Sequence, residues 1–60
     1  MYVVQFSRAD GSPVEEYYHA SKSSALAHLA LFEHDDSALY SDISVRDYST
    51  NAIIANLVFP

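Results

Sequence analysis

The sequence predicts an α+β domain of ββαββ layout, a four-stranded mainly antiparallel sheet in the order 2-1-3-4 with one helix packed on one face. Three observations predict it. An Asp10-Gly11 turn separates two β-branched and aromatic runs, a stretch with helical apolar spacing follows, and two further strand-like runs flank Ser49-Thr50-Asn51. Sixty residues allow a single domain, 1-60, with one core.

Strand one is "YVVQFS", and Asp10-Gly11, the strongest short hairpin signal in the chain, turns it into strand two, "VEEYYHA". Pro13 at the start of strand two and Glu15 and Glu16 within it suit a sheet edge, where charge and proline discourage a further strand from pairing. In "SKSSALAHLALFEHD", Ser21 is the expected N-cap, although Ser24 cannot complete a capping box. At about 100° per residue, Ala25, Leu26, Leu29 and Phe32 share a face and are the expected core contacts. His28 borders that face, Ala27 and Leu31 point away from it, and Leu31 is a candidate exposed contact. The helix should end near His34, since its C-terminal dipole disfavours the acids of "EHDDS".

A connector containing Leu39 and Tyr40 is expected to cover the end of the core. "DISVRDY" reads as strand three, with Ile43 and Val45 alternating against Ser44 and Arg46. Asn51 suits a positive φ in the turn before strand four, "AIIANLVF". The order 2-1-3-4 follows from placing charged, proline-headed strand two at one edge and "YVVQFS" in the middle. Strand four then occupies the other edge.

That edge raises a difficulty. Ile53, Ala55, Leu57 and Phe59 would form one face of strand four, and Ile54, Asn56 and Val58 the other, yet one helix covers only one face of a sheet. No charge, internal proline or bulge signal guards the strand. The sequence therefore predicts a homodimer, through strand four or the open sheet face. The alternative is a short strand four that curls across the open face under Phe59.

Composition narrows the function. Half of the residues are hydrophobic, which separates the chain from disordered, charge-rich segments. No run approaches a membrane span, "MYVVQFSRADG" lacks the pattern of a signal peptide, and cysteine is absent, so a cytoplasmic location without membrane association is the expectation. Of the net charge of −5, residues 1–30 hold three acids and two bases, hence −1, and residues 31–60 hold five acids and one base, hence −4. Three scattered bases make no patch for phosphates, so direct nucleic-acid binding is not expected.

A non-catalytic protein is expected, with no cofactor or metal. His28 and His34 are six apart and do not share a helical face, "EHDD" lacks the pattern of a calcium loop, and no serine sits in a Gly-x-Ser-x-Gly elbow. One glycine cannot build a phosphate-binding loop. Two binding readings remain. In the first, the chain is a protein-protein interaction module or inhibitor, with Tyr17, Tyr18, Leu31, Tyr40, Tyr48, Ile54 and Val58 as candidate contacts, because tyrosine offers a large amphipathic surface at low entropic cost. In the second, Glu33, Asp35, Asp36, Asp42 and Asp47 form an acidic surface that mimics nucleic acid and occupies a protein that normally binds it. The size and acidity resemble those of small inhibitors from phages and mobile elements, a likeness of composition that covers no motif.

Overall fold

The computed structural model describes residues 1–60. Strands β1 (Tyr2–Arg8) and β2 (Glu15–His19), helix α1 (Lys22–Ala30), and strands β3 (Tyr40–Asp47) and β4 (Ile53–Val58) follow in that order. The sheet runs β2-β1-β3-β4, and every neighbouring pair is antiparallel. The ββαββ layout and the order 2-1-3-4 are those read from the sequence.

The core follows from this order, because the two central strands carry the regularly alternating β-branched and aromatic residues. Val4 and Phe6 of β1 lie opposite Val45 and Ile43 of β3. Ala25 and Leu29 of α1 complete the buried cluster, with Leu26 and Phe32 packed at its margin. Fully burying a side chain such as Ile43 or Val45 contributes about 1.5–3 kcal/mol. A nine-residue helix is too short to persist alone in water, so α1 depends on this packing. Its N-cap is Ser21, whose hydroxyl accepts the Ser24 N–H at 3.2 Å.

Several boundaries differ from the sequence reading. The helix ends at Ala30 rather than near His34, and the chain tightens into successive i to i−3 bonds, from Phe32 N–H to Leu29, Glu33 N–H to Ala30, and Asp35 N–H to Phe32. This keeps Phe32 against the core. The first hairpin is also looser: the last β1–β2 pair is Phe6 with Glu15, so residues 9–14, Pro13 included, form the loop. Within it Gly11 adopts φ 81°, and the Asp10 carboxylate accepts the Ser12 N–H at 2.9 Å. Tyr40, expected in the connector, opens β3, where its ring meets Phe6 and Phe32 with centroids 5.3 and 5.8 Å away.

The largest difference lies in β4. Val45 pairs with Ala55 and Arg46 pairs with Ile53, so Ile54 is an extra residue, a β-bulge that the sequence did not announce. The bulge moves Ile53 off the helix-covered face and sets it beside Arg46 on the open one. Ala55, Leu57 and Phe59 remain packed at the margin of the core, as expected.

Candidate functional site

A polar row crosses the open face, because register decides which residues share a row. Glu16, Gln5, Ser44 and Asn56 line up across all four strands. Arg46 reaches over β1 to Glu16 at 3.4 Å and also donates to the Asn51 side chain at 2.7 Å. Val3 lies on this face and is nonetheless fully buried. Only same-face neighbours can cover it, and those directly opposite are Tyr18 on β2 and Arg46 on β3. The Tyr18 ring in turn meets Tyr48, centroids 5.8 Å apart.

The candidate contact residues therefore fall in four places. Tyr18 and Tyr48 come together on the open face. Tyr17 and Tyr40 sit on the helix side, packed edge-on or tilted against Phe6 at 5.4 and 5.3 Å. The Tyr17 hydroxyl donates to Glu15, which also receives the Arg8 guanidinium at 2.9 Å, while Arg8 lies over the Tyr40 ring. Those hydrogen bonds, from Arg8 first and Tyr17 second, hold the Glu15 carboxyl below its ordinary pKa. Leu31 stands alone at the helix C-cap, exposed. Ile54 and Val58 share the outer strand.

Among the acids, Glu33, Asp35 and Asp36 follow the helix, and Asp42 lies near the start of β3. Asp47 is not with them. It ends β3 five residues beyond Asp42, about 16 Å along a strand. There it accepts hydrogen bonds from the Ser49 N–H and hydroxyl at 3.0 and 2.8 Å, which lower its pKa.

β4 carries three exposed aliphatic side chains. Val58 is 73% exposed, Ile53 65% and Ile54 36%, and no residue of the strand is ionisable. Its backbone adds a second property. The Phe59 N–H donates to the Ser41 carbonyl, so by the alternation of an antiparallel ladder Leu57 and Ala55 bond inward to β3. Asn56 and Val58 then turn their N–H and C=O groups outward. On the helix side, Leu57 joins Leu26, Leu29, Ala30 and Glu33 in lining a shallow groove of about 140 Å³.

Sequence reasoning missed one constellation. The His19 Nδ1 lies 2.9 Å from the Ser24 hydroxyl, and His19 Nε2 lies 2.9 Å from His28 Nδ1. The signal was available only by placing α1 over β2: His19 ends that strand, while Ser24 and His28, four apart, face it from one side of the helix. A hydroxyl-imidazole-imidazole chain has the connectivity of a nucleophile, a base and an orienting group. No cavity opens beside it, since the two present are the Leu57 groove and a hollow lined by Asp35, Asp36, Ala38, Phe59 and Pro60. Nor do three or more His, Cys, Asp or Glu side chains converge anywhere as a metal shell.

The geometry thus defines a ββαββ sheet protein with one open face, one helix-covered face, one charged edge and one uncharged edge. No protein-family model, characterised protein or solved structure matches this chain. No helix is long and apolar enough to cross a membrane.

Proposed function

We propose that this chain is a non-catalytic protein-protein interaction module or inhibitor of the cytoplasm that acts as a homodimer, associating through β4. One observation carries the reading: β4 presents an uncharged apolar edge with outward backbone groups, whereas β2 carries Glu15 and Glu16. Absence of cysteine supports the location. The polar row across the open face favours edge pairing over face-to-face stacking. Charged residues there would lose water without gaining partners.

Sedimentation equilibrium from about 1 to about 300 µM tests the proposal, because a small interface dissociates in that range. The expected species at the upper end has twice the protomer mass of 6.7 kDa. A mass of one protomer throughout overturns it.

A further inference from the structure

Which residues meet across such a dimer is readable from β4 itself. Resting on the homodimer reading above, we infer that two copies pair β4 with β4, antiparallel, about a two-fold axis through Asn56, to form one continuous eight-stranded sheet. Two-fold pairing is self-complementary by necessity, so each residue must suit its own opposite number. An axis at Asn56 sets Asn56 against Asn56, Ile54 against Val58, and Ala55 against Leu57. Amide meets amide, β-branched meets β-branched, and a small residue meets a large one.

Registers shifted toward the C-terminus fit less well. Outward backbone groups must face outward groups, which restricts the axis to every second pairing. Moving it to Leu57 sets Asn56 against Val58 and Ile54 against Pro60, which has no N–H to donate. An axis at Val58 sets Asn56 against Pro60 and leaves fewer residues paired. Charge points to the same occupant. Each copy carries −5, yet β4 contributes none of it, so two copies meet along the one sheet edge where acids do not oppose acids.

Because the protein has no cysteine, disulfide mapping tests this register without background. A hydrogen-bonded antiparallel pair has Cα atoms about 5.5 Å apart, within the range of about 4.4–6.8 Å that a disulfide spans. Under mild oxidation Asn56→Cys is expected to give a covalent dimer in most of the sample. Val58→Cys alone is expected to give little, since its mate lies about 13 Å away along the strand. A mixture of Ile54→Cys and Val58→Cys is expected to link as a heterodimer, and it checks the register if Asn56→Cys does not fold. Preferential linkage between Asn56→Cys and Val58→Cys, or a sedimenting dimer in which neither expected linkage forms, overturns the register and leaves the homodimer standing. A monomeric wild type overturns both.

Discussion

At the scale of residues, Phe6 organises the core more than any other side chain. Its ring centroid lies 5.4, 5.4, 4.9 and 5.3 Å from those of Tyr17, His28, Phe32 and Tyr40, so strand, helix and connector meet on it. Phe6→Ala is expected to cost about 3–5 kcal/mol, comparable to the whole stability of so short a chain. Circular dichroism at 25 °C should therefore report an unfolded chain. His28, beside Phe6, gives a pH dependence. Burial first, and then the neighbouring His19, lower its pKa from the ordinary 6.5. The unfolded chain then binds the proton more readily than the folded one, so stability is full above about pH 6.5 and falls as pH drops toward the lower folded value. Urea midpoints at pH 7.5 and pH 5.5 should differ in the wild type and differ less in His28→Gln. Glu15, Asp10 and Asp47, all held below the ordinary range by hydrogen bonds, act in a separate, more acidic window: their contribution is lost as pH falls below about 4. His28 at the border of the apolar face was legible from helical spacing. Its bond to His19 was not, because that contact depends on how the helix lies over β2.

At the scale of elements, two positive φ angles mark where the chain turns. Asn51, at φ 63°, was legible, since asparagine tolerates that region and its side chain accepts from Arg46. Ala38, also at φ 63°, was not, because nothing in alanine's chemistry favours it. Its Cβ costs roughly 1–2 kcal/mol there, partly offset by the extra freedom that glycine gives the unfolded chain. Ala38→Gly should thus raise stability by up to about 1 kcal/mol, whereas Asn51→Ala should lower it by about 1 kcal/mol, both measured by urea denaturation. The five elements were legible from alternation and helical period. Their ends were less so: the helix stopped a turn early where i to i−3 bonds took over, and the first loop lengthened because pairing ceased at Phe6 and Glu15. The β4 bulge escaped notice since Ile53 and Ile54 are both β-branched and give no hint of which is the extra residue.

At the scale of the whole molecule, the exposed area of 3928 Å² equals the roughly 3,900 Å² expected of a monomer of this mass. The protein exposes the area that is ordinary for a monomer of its size. What is unusual is where the remaining apolar area lies: Ile53, Ile54 and Val58 of β4 are exposed, and apolar residues on both faces of strand four made this legible in the sequence. Val58→Lys places a charge on the exposed edge without entering the core. It should shift the sedimenting species toward the protomer, with the melting temperature measured at high dilution changed little. A fall of the dilute melting temperature by tens of degrees would instead assign Val58 a role within the fold.

The charged side of the sheet has a consequence for growth. A sheet with two permissive margins can add copies without limit and become a fibre, whereas here each new copy would bring Glu15 and Glu16 to the outside. In the proposed dimer both ends of the joined sheet would be sealed, and assembly would stop at a finite pair.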